Sequence, residues 1–459
     1  MEHGVISVII PLFTIIIAIW SKDVVISLLG GTFFGFLALN GYNPASSFIA
    51  LFDGVIGLFS EGWIVKTIIF IMLVGSIMEI LSRSGAVDEF VDFLSQKAQK
   101  IDSPKGAMML AYVIGLVIFI ESSITVMVAS IVAKPLCDKN GVSREKLAYI
   151  CDATSAPVCS MLPLNGWGAL LLGLITASIA SGVIAGDPIK ILLEALLFNF
   201  YAIFTIIMVF AVIYKDINIG PMRYTRPRPY ITSNTQTKPN PKPWNMVLPL
   251  IVLIGSVPAG LYLTGNGDIF KGSGSTSVYY AVIVTLLFTY IYFISKKLIT
   301  HKSYFEAMYN GLGDMIPITI VMILAFLIGK VIGDLGTAKY LASMAGGTIP
   351  SAVVPLLIFL LSSLMAFATG TSWGTFSVMM PIALALGGAM GIEPSLMVAT
   401  VISGGVFGDH ASPISDTTII SSMAAGCENI DHVNTQLPYA LIAAGLSTIA
   451  FLIAGLLYA

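Results

Sequence analysis

Charge is what this sequence has least of. Only 10% of its 459 residues are Asp, Glu, Lys or Arg, and 56% are hydrophobic; a soluble domain carries about 25% charged residues. That balance excludes an ordinary soluble protein and points to a polytopic membrane protein. Cysteine is equally scarce. Cys137, Cys151, Cys159 and Cys427 form no C-x-x-C pair, which removes the usual spacing of a redox or structural metal site. Cys151 and Cys159 flank a Pro in apolar surroundings and read as packing residues. No Gly-rich phosphate loop or dinucleotide fingerprint is present, so nothing in the chain supports ATP-driven transport or a bound cofactor. The net charge of −2 gives no ground for a nucleic-acid partner.

What is present is a succession of apolar runs. A membrane-spanning helix needs about 20 such residues, and runs of that kind fall near 4–21, 24–40, 64–82, 147–185, 190–214, 246–264, 277–295, 314–333, 395–426 and 433–458. The first lacks a cationic flank and an A-x-A-like cleavage site, so it reads as a span and not a removed signal peptide. Segments 105–136 and 348–385 are different. Each has two apolar arms around a polar tip, ESS or TGTSW, which suits a re-entrant hairpin or a pair of full spans. The expected fold is therefore all-α and polytopic, with about ten transmembrane helices plus two hairpins. The amphipathic stretch 88–100 reads as an interfacial helix.

One polar segment, 215–245, interrupts the chain. It is rich in Pro, Thr and Asn, and its Lys215, Arg223, Arg226, Arg228, Lys238 and Lys242 face a single acid, Asp216. It reads as a cytoplasmic linker between halves 1–214 and 246–459. The halves echo one another about 250 residues apart. FIMLVGSIMEILSRSGAV (70–87) matches VMILAFLIGKVIGDLGTA (321–338), ESSITVMV (121–128) matches TSWGTFSV (371–378), and SAPVCS (155–160) matches ASPISD (411–416); a looser echo joins 52–63 to 305–315. The loop 134–146 is basic, while its counterpart 385–394 has no Lys or Arg. Under the positive-inside rule these loops lie on opposite sides, which makes the two repeats inverted. With re-entrant hairpins, the basic clusters at 83–105, 134–146, 215–242 and 296–302 then all fall on the cytoplasmic side of the plasma (inner) membrane.

The chemistry concentrates in GDHASPISDTT, 408–418. Acids within spans are costly and mark ion or substrate paths. Ser412 suits an N-cap and Pro413 a first helical position, so a half-helix is expected to restart there, with Ser415 and Asp416 in its first turn. A serine–proline pair can also simply kink a helix, but a kink has no use for two carboxylates and an imidazole. The first-half copy offers Ser155, Pro157, Cys159 and Ser160. Hydroxyls, carbonyls and carboxylates prefer hard cations, and a desolvated carboxylate can hold either a proton or Na+. Glu121 at one hairpin tip and Asp152 before the first break read as functional. Glu79 and Arg83, one turn apart, read as a structural pair.

TGTSWGT followed by GDHASPISDTTIISS resembles the NhaC family of Na+/H+ antiporters, and SREKLAYICDATSAPV (143–158) is similar to its first-half signature. The resemblance implies a secondary transporter with inverted repeats, hairpins and elevator-like alternating access, assembled as a homodimer. It places Asp409, Ser412, Asp416 and Thr417 in a cation and proton site with Thr371 and Ser372. His410 stands as a second titrating candidate, and Asp409, Asp416, Ser412 and Thr371 are the Na+ candidates. The family's first half carries two adjacent acids with a downstream Asn, whereas this chain has Glu121, Ser122 and Thr125. That difference leaves room for an organic solute, with Glu121, Ser122, Ser123, Thr125, Asp152, Ser155 and Asn165 as its candidate contacts. Three functions follow: Na+/H+ exchange, ion-coupled exchange of an amino acid or carboxylate, and intramembrane hydrolysis by Asp409 and Asp416. In the third, both acids lie on one segment, where a dyad would draw them from separate helices.

Overall fold

The computed structural model describes residues 4–21, 23–98, 101, 103–119, 121–163, 165–228, 240–268, 272–337, 340 and 350–458. Residues 99–100 of the expected interfacial helix, 229–239 of the linker, 338 of the second repeat copy and 348–349 of the second hairpin lie outside them. Among the described residues every regular element is a helix, as an apolar chain in lipid requires: with no water to hydrogen-bond, the backbone satisfies itself within each segment. Eight helices among the described residues are long and apolar enough to cross a membrane, or up to ten if each of two bent pairs is one span.

The first half contains α1 (Ile6–Ser21), α2 (Val24–Leu39), α3 (Pro44–Leu58), α4 (Gly62–Arg83), α5 (Ala86–Ala98), α6 (Pro104–Val117) and α7 (Ser122–Lys139). A broken segment follows, α8 (Arg144–Ala153), α9 (Ala156–Met161) and α10 (Gly166–Ala180), and then α11 (Pro188–Leu197) and α12 (Phe200–Lys215). The second half runs α13 (Trp244–Thr264), α14 (Gly274–Ser295), α15 (His301–Asp314), α16 (Ile316–Asp334), α17 (Val354–Thr369) and α18 (Ser372–Met390). It ends with a second broken pair, α19 (Pro394–Ala411) and α20 (Asp416–Ala425), and the long α21 (Asn429–Tyr458). In each half a helical hairpin, α6–α7 or α17–α18, comes before a broken segment.

Helix starts follow local chemistry. Asn43–Pro44, Ser103–Pro104 and Asp187–Pro188 each place a side-chain acceptor before a Pro that needs no amide partner. The tip of each hairpin repeats one device. Glu121 caps α7 by accepting from the Ser123 and Ile124 amides at 3.0 and 2.7 Å, and Thr371 caps α18 by accepting from the Gly374 amide at 3.3 Å. Thr125 and Thr375, which the sequence comparison of the two halves aligns, each donate to the carbonyl four residues back, at 2.8 and 2.9 Å. In the first hairpin α6 has 14 residues and rises about 21 Å, short of the ~30 Å hydrocarbon core.

Two glycine crossings bring helix backbones close together. A Cβ at Gly75 of α4 would run into the Gly311 carbonyl of α15, and Cβ atoms at Gly404 and Gly408 of α19 would run into the Phe359 and Ser363 carbonyls of α17. Gly404 and Gly408 form the small-xxx-small spacing that brings helices together where lipid supplies no hydrophobic drive. This crossing lays the second hairpin along the broken helix, and so fixes the site. As expected, Glu79 pairs with Arg83 at 3.4 Å, and Arg83 reaches on to Glu306 of α15 at 3.5 Å.

The restart at the second break differs from the expectation. The helix α19 continues to Ala411, Ser412 is its C-cap, and α20 begins only at Asp416. Ser412 does not cap α20 because its hydroxyl donates to the Phe367 carbonyl of α17 at 2.8 Å. Asp416 instead accepts from the Thr417 amide at 2.8 Å. At the opposite end, the Ala424 and Gly426 carbonyls accept from Lys134 at 3.4 Å and Arg144 at 3.3 Å. The acidic group sits at the N-terminus of α20 and the cations at its C-terminus, as the helix dipole favours.

Candidate functional site

Both hairpin tips and the second broken helix meet around one cavity of about 180 Å³. Glu121 and Ser122 enter from the first tip, Thr371, Ser372 and Trp373 from the second, and Asp409, Asp416 and Thr417 from either side of the break. The opposite wall is apolar: Ile71, Val74 and Met78 of α4, and Ile318 of α16. Trp167 of α10 stands edge-on to Trp373, with ring centroids 5.8 Å apart.

Asp409 is the anchor. Its Oδ2 accepts from the Ser372 hydroxyl at 2.7 Å and from the Ser372 amide at 3.3 Å. Its Oδ1 has no hydrogen-bond partner among the described residues, although the residue is 2% exposed. A buried carboxylate oxygen without a donor carries a desolvation penalty that a cation or proton would relieve. One oxygen is thus fixed by the hairpin and the other has no donor among the described residues.

A second polar cluster lies on the other side of the same segment. Asp152 Oδ2 accepts from Gln436 Nε2 at 2.8 Å and from the Thr418 hydroxyl at 3.4 Å, and lies 3.2 Å from His432 Nε2. His410 approaches it at 3.9 Å and shares a 2.6 Å hydrogen bond with the Tyr201 hydroxyl. Gln436 also donates to the His410 carbonyl at 2.6 Å. Asp152, His410, His432 and Gln436 are all buried.

The sequence-derived set is therefore divided. Asp409, Asp416, Thr417, Thr371, Ser372, Glu121 and Ser122 share one cavity. His410 does not belong with them: it turns to Asp152, so the expected cation site loses its imidazole and Asp152 leaves the first-half group. Ser412 is taken up by the Phe367 carbonyl. Thr125 is committed to the Glu121 and Ile118 carbonyls, and Ser155 to the Asp152 carbonyl at 2.8 Å. Asn165 caps α10 through Gly168 and ties the Phe119 and Cys159 carbonyls together, at 2.8 Å each. Ser123 is engaged by Glu121, its amide donating to that carboxylate at 3.0 Å. These residues build the tips and breaks; they do not face the cavity. Sequence reading passed over Tyr201, His432 and Gln436. The signal available was the four-residue spacing of His432 and Gln436, which puts two polar groups on one face of an apolar helix.

An all-helical chain with eight to ten apolar spans, whose hairpin tips and broken helix converge on acids in a buried cavity, is a multi-pass membrane transporter. The chain belongs to the Na+/H+ antiporter family, whose model matches residues 1–173 and 158–456. That makes it a secondary transporter and not a hydrolase. It is 34% identical to an uncharacterized protein of Haemophilus influenzae, over 98% of this chain and 91% of that one. It is 32% identical to the Na+/H+ antiporter NhaC of Alkalihalophilus pseudofirmus, over 33% of this chain and 32% of the other. The fold resembles MtrF of Neisseria gonorrhoeae, one of a class of antimetabolite efflux pumps, with a TM-score of 0.59 at 13% identity, covering 89% of this chain and 84% of that one.

Proposed function

We propose that the protein exchanges Na+ for H+ at the Asp409 cavity. The observation that carries this reading is the divided Asp409 carboxylate: Oδ2 held by Ser372, Oδ1 buried without a donor. Na+ is coordinated by Oδ1 with oxygens of Ser372, Thr371 and Asp416. A proton on the same carboxylate removes the charge that holds Na+, so the two cargoes exclude one another and exchange follows. Thr417 and the amides at the start of α20 orient Asp416, and Ser122 completes the polar rim.

In the same reading, the two halves are inverted repeats in the inner membrane, with the basic loops inside. The hairpins and broken helices move together as an elevator against the scaffold of α4 and α16, which supplies the apolar wall. The test is Na+-driven pH change in proteoliposomes. Asp409→Asn and Asp416→Asn each abolish exchange while the protein still inserts and purifies. Full activity in both variants overturns the site.

A further inference from the structure

The cavity is larger and more apolar than a Na+ ion in an oxygen shell requires. Next to it lies a second chamber of about 340 Å³, lined by Val25, Leu170, Val321 and Ser377, and sharing Ile318, Thr371 and Trp373 with the first. Together the two chambers reach the ~300–1,000 Å³ range of small-molecule sites. Among the described residues the lining of the first is one-sided in charge: Glu121, Asp409 and Asp416, with no Lys, Arg or His. Nor do the acids converge on a point. Among the described residues no three Asp, Glu, His or Cys side chains are spaced to hold a metal ion. Acids arranged around a volume, beside the indoles of Trp167 and Trp373, match a cation that is itself extended. Indole faces attract organic ammonium groups, and the unpartnered Asp409 Oδ1 provides a buried acceptor for an N–H.

We infer that the cavity accepts an organic ammonium ion, an amine with an apolar body and no carboxylate, as an alternative occupant to Na+. This rests on the Asp409 cavity being the cargo site. The ammonium sits against Asp409 and Asp416, and the apolar body extends past Trp373 toward the second chamber. A carboxylate on the same body would meet three acids and no compensating cation, so monocarboxylates and zwitterionic amino acids are rejected.

Three probes with one phenyl body separate the outcomes: phenethylamine, phenylalanine and 3-phenylpropionate. Binding of each labelled compound to the solubilised protein is measured by equilibrium dialysis. In parallel, each is added to proteoliposomes performing Na+–Na+ equilibrium exchange, a readout unaffected by amines that dissipate pH gradients. Phenethylamine binds, loses its binding in Asp409→Asn, and raises the half-saturating Na+ concentration without changing the maximal rate. The other two do neither. Na+ exchange that proceeds unaltered, with no phenethylamine bound, overturns the ammonium inference and leaves the Na+ reading standing. Phenethylamine binding without Na+ exchange overturns the Na+ reading and leaves the inference standing. Equal binding of 3-phenylpropionate overturns the charge argument.

Discussion

Asp409 and His410 are neighbours in the chain yet face different surroundings: Asp409 lines the hairpin-tip cavity with Ser372, while His410 turns to Tyr201 and Asp152. Thr417 and Thr418 repeat the division across the break, Thr417 lining the cavity and Thr418 donating to Asp152. The broken segment is a partition between two buried polar groups, so a displacement of α19 or α20 alters both.

Removing the Ser372 hydroxyl separates the hairpin tip from the broken helix. A hydrogen bond to a charged acceptor is worth about 1.5–3 kcal/mol. Ser372→Ala therefore raises the half-saturating Na+ concentration roughly 10- to 100-fold, while Ser372→Thr, which retains the donor, stays near the parent. Flux titrations against Na+ check this; unchanged saturation in the alanine variant contradicts it.

Asp152 is the shared acceptor of the second cluster. Asp152→Ala leaves Gln436, His432 and Thr418 facing a buried gap, at a cost of about 3 kcal/mol or more. The thermal midpoint of the purified protein falls accordingly. Asp152→Asn keeps an acceptor oxygen and loses less. Equal midpoints for Ala and Asn would show that the acceptor is not what matters.

The Gly404–Gly408 crossing predicts a steric effect without any polar one. A methyl at Gly408 meets the Ser363 carbonyl of α17, and overpacking of this kind costs about 1–3 kcal/mol. Gly408→Ala lowers both thermal stability and transport. Gly57→Ala, where a Cβ meets open space, leaves both near the parent and serves as the control.

Cys427 lies in the connection between α20 and α21. Burial, with Glu145 nearby, pushes its thiol up to about 12. A raised pKa keeps the group as a protonated, unreactive thiol well above neutral pH, with reactivity appearing only as pH approaches 12. At pH 8, maleimide modification of Cys427, followed by mass spectrometry, is roughly a thousandfold slower than for a free thiol of pKa ~8.5. Rapid labelling at pH 8 would show that the connection opens to water.

The broad fold was legible in the sequence because its signals are local. Apolar runs set the spans, and polar tips and Pro residues set the ends and breaks. The restart at the second break was placed three residues early, since Ser412 looks like a cap until the Phe367 carbonyl, 45 residues away, competes for its hydroxyl. The same limit applies to Thr125 and Asn165, which have the right chemistry for cargo but are committed to backbone carbonyls of the hairpin tip.

The sequence by itself determined that this is a multi-pass membrane protein with acids concentrated at one break, because lipid makes each buried charge conspicuous. Only the tertiary structure decided which acids meet. Consecutive residues of a helix point about 100° apart, so Asp409 and His410 diverge by local geometry, but packing decides which of them meets the hairpin tip and which meets Asp152. The two hairpin tips, about 250 residues apart, face one cavity through helix crossings that no local pattern encodes.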